Sequence, residues 1–241
     1  MKIEDIRKLH QKKFREEAGL FLLEGEHLVL ELQKAAAHNP QLLACEIYCT
    51  REYEHWRSPF PMHQLKSVQM QQISETRTPQ GIVAVAPLLT PPPPKPDEKA
   101  VYLHQIQDPG NLGTILRTLA WFGNYRCLLS PDSVEPFNGK AVRASMGAIL
   151  HVPVETDVTL ESLPARYERI AALDMRGDSI ATQAFRDHQC FVYGSEARGL
   201  PKDALALIKA SAFTIEGTGA IESLNLAAAV AVCQFELHRG A

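Results

Sequence analysis

The stretch Ile215-Glu216-Gly217-Thr218-Gly219-Ala220-Ile221-Glu222-Ser223-Leu224-Asn225 leads into the most apolar helix the sequence predicts, and its reading decides the fold. Its glycines allow positive φ and close approach of the backbone to a ligand. Ser223 or Asn225 can cap the helix, since a short polar side chain accepts a hydrogen bond from an unpaired N–H of the first turn. Over residues 224–235 only Asn225 and Gln234 interrupt an apolar run, so the helix is expected to be covered on every side. Ala227, Ala228, Ala229 and Ala231 leave room for a neighbouring backbone. A buried Asn must find partners. On this stretch alone Asn225 reads as a structural strut, with membership of a site as the alternative.

Residues 100–241 alternate strand and helix. Strands are expected at 101–106, 125–129, 151–155, 169–173, 190–194 and 212–215, and helices at 112–122, 139–150, 160–167, 201–209 and from 224 on. That alternation predicts an α/β fold with a largely parallel sheet covered on both faces, whose ligands sit at the carboxyl ends of the strands. Pro91-Pro92-Pro93-Pro94-Lys95-Pro96 reads as a semi-rigid polyproline linker, with an SH3-type ligand as the lesser alternative. Before it, a helix over 3–17, strands at 20–23, 43–50, 62–65 and 81–86, and helices at 26–37 and 67–73 make a small mixed domain. The expected division is 1–90, a linker at 91–97, and 98–241.

The composition is that of a globular protein, 45% hydrophobic and 22% charged, with no apolar run long enough to span a membrane. The charged start Met1-Lys2-Ile3-Glu4-Asp5 reads against a secretory signal. Five cysteines (Cys45, Cys49, Cys127, Cys190, Cys233) read as buried thiols in a reducing cytosol, hence a cytoplasmic protein, rather than as disulfides or metal ligands. A net charge of −3 argues against nucleic acid when taken globally. However, Arg7, Lys8, Lys12, Lys13 and Arg15, with His10, form a run without an acid that points to phosphate.

Three strand-to-helix junctions carry candidate chemistry. Gln107-Asp108-Pro109-Gly110-Asn111-Leu112-Gly113 precedes a helix bearing Arg117, and Asn111 suits its N-cap. The stretch fits neither G-x-x-x-x-G-K-[ST] nor G-x-G-x-x-G, which disfavours those modes of nucleotide binding. Tyr193-Gly194-Ser195-Glu196-Ala197-Arg198-Gly199-Leu200-Pro201 sets a carboxylate between glycines, but its serine is not centred as a nucleophile elbow requires. The third junction is the opening stretch.

In this order and spacing, 108–113 with Arg117, Gly194-Ser195-Glu196 with Gly199-Leu200, and Glu222-Ser223-Leu224-Asn225 resemble the three motifs of the SpoU/TrmH branch of the SPOUT RNA methyltransferases. Arg143-Ala144-Ser145-Met146-Gly147-Ala148 also matches the branch. Leu22-Leu23-Glu24-Gly25 and Thr78-Pro79-Gln80-Gly81 resemble an N-terminal L30e-like substrate-binding domain. The resemblance implies a trefoil-knotted catalytic domain, a homodimer formed through it, S-adenosyl-L-methionine as cofactor, and rRNA or tRNA as partner. It places the cofactor on Leu173, Gly194, Ile215, Gly217, Ser223 and Leu224. Arg117, Asn111, Glu196, Ser223 and Asn225 become the catalytic set, and Arg7, Lys8, Lys12, Lys13 and Arg15 the RNA contacts. Glu216 and Ala197 depart from the pattern at places usually held by Pro and Gly, which bears on cofactor affinity.

Methyl transfer to a ribose 2′-hydroxyl needs alignment and removal of a proton. A guanidinium is normally protonated, so Arg117 is expected to orient the hydroxyl and stabilise developing alkoxide rather than act as base. The chemistry requires no metal. Two alternatives are a catalytically silent RNA-binding protein on the same fold and a methyltransferase acting on a protein or small molecule.

Overall fold

The computed structural model describes residues 1–239 and divides into two compact units, one of residues 1–90 with 135–151, the other of residues 91–134 with 152–241. In chain order the first elements are α1 (Ile3–Lys8), α2 (Lys12–Ala18), β1 (Leu20–Glu24), α3 (Glu26–Ala36), β2 (Glu46–Cys49), β3 (Met62–Gln64), α4 (Ser67–Ile73) and β4 (Ile82–Pro87). Then come β5 (Lys99–Leu103), α5 (Pro109–Phe122), β6 (Tyr125–Leu129), α6 (Gly139–Ser145), β7 (Val154–Glu155), β8 (Ile170–Ser179) and α7 (Gln183–Arg186). The last are β9 (Cys190–Tyr193), α8 (Ala204–Leu207), β10 (Ser211–Thr214) and α9 (Leu226–His238). Short 3-10 turns occupy Pro40–Ala44, Arg51–Tyr53, Ala148–Leu150 and Leu160–Ala165.

The first unit is built on a four-stranded sheet of order β1-β4-β2-β3, with β4 antiparallel to both β1 and β2 and β3 parallel to β2. Ile6, Leu9, Met70 and Ile73 bury against Tyr48, Val83 and Val85. The single helix expected over 3–17 is two. Gln11 is extended, and the Arg15 guanidinium takes the Leu9 carbonyl at 2.8 Å, a group that an unbroken helix would give to a backbone N–H. The expected helix at 139–150 also stops early. Met146 takes a left-handed conformation that ends α6, and a 3-10 turn follows. Segment 135–151 groups with this unit. Phe137 packs on Phe21 with ring centroids 4.9 Å apart, and Arg143 reaches Glu75 at 3.0 Å.

The second unit is a six-stranded sheet of order β10-β8-β9-β5-β6-β7, parallel at every pairing, as the βα alternation predicts. Its core gathers Tyr102, Leu128, Leu163, Ala172, Val192 and Ile208. The proline run is fastened to it: buried Arg126 donates to the Pro92 carbonyl at 2.7 Å and to Glu98 and Glu155 at 2.8 Å each. β8 is longer than the sequence predicts because its pairing with β10 jumps. Ala212 pairs with Ala172 but Phe213 with Asp178, so residues 173–177 bulge outward. Gly177 permits the return, since a Cβ there would lie 2.5 Å from the Ala212 carbonyl.

The covered helix expected at the C-terminus is a correction. Val230 and Cys233 of α9 are buried, yet Val232 is 40% and Phe235 60% exposed, and Trp121 on α5 is 85% exposed. The burial expected on all sides is therefore supplied on one side only. All five cysteines are free and buried, and burial pushes the Cys127 and Cys233 thiols up to about 12. Among the described residues no helix is long and apolar enough to cross a membrane.

Candidate active site

Parallel strands put all their carboxyl ends at one edge, so the junctions after β5, β8, β9 and β10 share a rim. At the first junction, Asp108 rather than Asn111 caps α5. Its Oδ1 accepts the Asn111 N–H at 2.7 Å, and Pro109 occupies the first turn, where its missing N–H costs nothing. This releases the Asn111 side chain.

Asn111 Nδ2 donates to Glu196 Oε1 at 3.1 Å, and Asn111 Oδ1 accepts from Asn225 Nδ2 at 3.0 Å. Asn225 Oδ1 in turn accepts from the N–H groups of Ala227 and Ala228 at 2.9 and 3.3 Å, capping α9. The direction of this relay is fixed. Backbone N–H groups can only donate, so they hold the Asn225 oxygen, its amide nitrogen must face the Asn111 oxygen, and Asn111 must present its own nitrogen to the carboxylate. Asn225 is exposed, not a buried strut, and it serves as cap and relay together.

Beside the relay opens a cavity of about 690 Å³, walled by Leu173, Ile215, Leu224, Leu226 and Ala229 and edged by Glu196, Ser223 and Asn225. A cleft of this size, in which Leu173, Ile215 and Leu224 alternate with polar and charged groups such as Asp174, Thr214 and Ser223, suits an adenosine-bearing ligand such as S-adenosylmethionine. Gly194 also lines it, but its lack of a side chain has an internal cause. A Cβ there would come within 2.4 Å of the Gly199 backbone, where Ser195 and Gly199 bridge to close their loop. Gly217 and Glu216 are exposed and lie outside the lining. Arg117 is exposed on α5, outside the lining, and its side chain makes no hydrogen bond or ion pair to another described residue. Asp174 and Met175, which the sequence reading passed over, reach the cavity because the β8 bulge carries them there. Gly177 beside the strand was the one sequence signal that could have found them. Ser195, Arg198 and Glu222 also line it.

The run of cations in the first unit looks different folded. Arg15 is buried and donates to Glu135 as well as to Leu9, so its guanidinium is not available to phosphate. Lys8 pairs with Asp5 at 2.9 Å, Lys12 with Glu16 at 3.6 Å and Lys13 with Glu17 at 3.8 Å. The acids that offset the run flank it in sequence. Of the five cations in the run, Arg7 is the one that is exposed and forms no ion pair among the described residues. No group of three or more His, Cys, Asp or Glu that could hold a metal ion occurs among the described residues.

Comparison with known proteins adds to this geometry. Residues 98–235 match the SpoU rRNA methylase family, and residues 1–84 match the MRM3-like substrate-binding domain. The chain is 31% identical to the 23S rRNA (guanosine(2553)-2′-O)-methyltransferase RlmP of Bacillus subtilis, over 98% of this chain and 95% of that one. An AdoMet-bound rRNA methyltransferase from Sinorhizobium meliloti superposes with a TM-score of 0.83 at 26% identity, covering 98% and 94% of the two chains. A TrmH-family protein from Porphyromonas gingivalis gives 0.84 at 30% identity, covering 99% and 97%.

Proposed function

Because the chain belongs to the SpoU rRNA methylase family, we propose that it transfers the methyl group of S-adenosylmethionine to a ribose 2′-hydroxyl of rRNA or tRNA. The observation that carries this reading is the Asn225–Asn111–Glu196 relay on the lip of the cavity. A silent RNA-binding protein would have no use for two oriented amides that fix a carboxylate beside a cofactor-sized cleft.

When bound, the sulfonium supplies an electrophilic methyl group, and the residues of this chain do the rest. Leu173, Ile215 and Leu224 shield the adenosine end, with backbone groups of Gly194, Ile215 and Leu224 holding it. Ser223, Asn225 and Asn111 position the acceptor ribose, and Glu196 anchors Asn111. Arg117 would direct its fork of donors at the hydroxyl and stabilise negative charge while the hydroxyl proton passes to solvent water as the oxygen takes the methyl group.

Arg117 lies six residues after Asn111, about 9 Å along the helix axis, beside exposed Trp121. The helices α5 and α9 pack together, and Trp121, Val232 and Phe235 stay uncovered. A second copy of the chain would cover them, which supports a homodimer whose interface borders Arg117. The knotted passage of the C-terminal segment and the cytoplasmic setting belong to the same proposal, the latter supported by five free, buried thiols. In the first unit Arg7 and the outer faces of Lys8, Lys12 and Lys13 remain the proposed RNA contacts, without Arg15.

Calorimetric titration of S-adenosylmethionine, joined to mapping of ribose methylation in total RNA with and without the gene, tests the reading. Cofactor binding and one lost methylation are expected. Identical maps with no cofactor binding would leave the silent protein standing.

A further inference from the structure

The second unit is acidic, with twelve Lys and Arg against sixteen Asp and Glu, yet five of those cations stand around one cleft. The cleft, about 470 Å³, lies at the amino ends of β5, β8 and β9, the opposite edge of the sheet from the methyl-transfer cavity. Lys95, Lys99, Arg166, Arg169 and Arg186 line it, with His188.

Its acids are Asp97, Glu98 and Asp187. Glu98 is taken by Arg126 at 2.8 Å, and Asp187 accepts from Gln183 at 2.9 Å. Arg166 is held by Glu155 at 3.0 Å and Arg186 by Glu236. Lys95, Lys99 and Arg169 form no ion pair among the described residues.

Lys99 is the informative one. Its Nζ donates to the carbonyls of Arg186 at 2.7 Å and His188 at 2.9 Å and lies over the Phe191 ring, 5.4 Å from its centroid, so all three contacts are to uncharged groups. Burial lowers its pKa, Asp187 partly opposes this, and Arg169 adds to it. A half-buried ammonium held by neutral groups, with a second cation near it and Asp187 acting only from beyond ion-pair distance, has its desolvation incompletely offset. Tyr167, with the Arg166 guanidinium 5.6 Å over its ring, gives the cleft an apolar wall, and Pro94 and Pro96 stiffen its rim.

We propose that this cleft binds a phosphate group through Lys95, Lys99 and Arg169. The phosphate can come from the backbone of the RNA or from a free nucleotide, and the two sources separate experimentally. Lys95→Glu/Arg169→Glu reverses two exposed charges and leaves the Lys99 hydrogen bonds in place. Wild type and variant are titrated with substrate RNA at stepped salt and, separately, with inorganic pyrophosphate. Unchanged S-adenosylmethionine affinity certifies the fold of the variant.

If RNA supplies the phosphate, RNA binding weakens at least tenfold and the salt slope falls by about two. If the source is a free nucleotide, wild type binds pyrophosphate, the variant does not, and RNA binding is unmoved. Loss of neither overturns the proposal. The pyrophosphate arm needs no RNA, so a failure of the methyltransferase reading itself would show separately, as wild type that binds no RNA and methylates none.

Discussion

Asn225 donates from Nδ2 to Asn111 Oδ1 at 3.0 Å across 114 positions of sequence, so the start of the last helix is tied to the start of α5 by a single side-chain bond. The same Asn225 caps α9. Cap and relay can be taken apart.

Asn225→Ala removes both and should cost about 1 kcal/mol of stability, while kcat drops by roughly 100-fold through misplacement of Asn111. Asn225→Ser keeps a capping oxygen but has no amide to give Asn111. It should melt like wild type and turn over like the alanine variant. Wild-type turnover in the serine variant would return Asn225 to a structural strut.

Arg117 is exposed and unpaired among the described residues, so Arg117→Lys should alter stability by less than about 0.5 kcal/mol. A lysine keeps the charge but not the fork, and kcat should fall at least tenfold if two donors act on the ribose oxygen. Single-turnover methylation reads this directly. Retained turnover would show that any cation suffices.

Arg15 and Lys12 share a stretch of sequence but not a role. Arg15→Met leaves Glu135 without its buried partner and should cost about 3 kcal/mol in a urea melt. Lys12→Ala and Lys13→Ala, with exposed i,i+4 pairs, should shift stability by less than about 0.5 kcal/mol. A large effect of Lys12→Ala with none for Arg15→Met would contradict the burial described.

Glu75 is held below its ordinary value of 4.5 by the His10 hydrogen bond and then by Arg143. A depressed carboxylate adds stability that is fully present above the ordinary value and is lost as pH falls through the lowered one. Acid melts of wild type should therefore steepen below about pH 4.5. Glu75→Gln should flatten that limb without changing its shape near neutrality.

Phe235→Glu should dissociate a dimer formed across Trp121, Val232 and Phe235, because a carboxylate would lie in a closed apolar contact. Sedimentation velocity should show one species near twice the chain mass for wild type and one at chain mass for the variant. Monomeric wild type would remove the dimer from the proposal.

The parallel sheet and the three junctions were legible because strand and helix alternate and because Asp108, Gly194 and Asn225 stand where strands end. α4 matches the expected 67–73 residue for residue. What could not be read depends on partners distant in sequence. Whether Asp108 or Asn111 caps α5 turns on Glu196, which lies 85 positions away and takes the Asn111 amide. The break after α1 depends on Arg15, whose other partner lies 120 positions away. The exposure of α9 was missed for a different reason. Its composition lacks a polar face, and composition does not tell a helix covered on every side from one covered on one side.

Segment 135–151 lies between β6 and β7 of one unit but takes its partners from the other, where Ala141, Val142 and Ile149 are buried. The chain thus passes between the two units more than once, and modular exchange is restricted. A transplanted N-terminal domain would arrive without the insert that completes it, and a catalytic fragment cut at residue 98 would carry that insert with its apolar side bare. Hybrids of this protein with its relatives should therefore stay soluble only when residues 1–90 and 135–151 are inherited together.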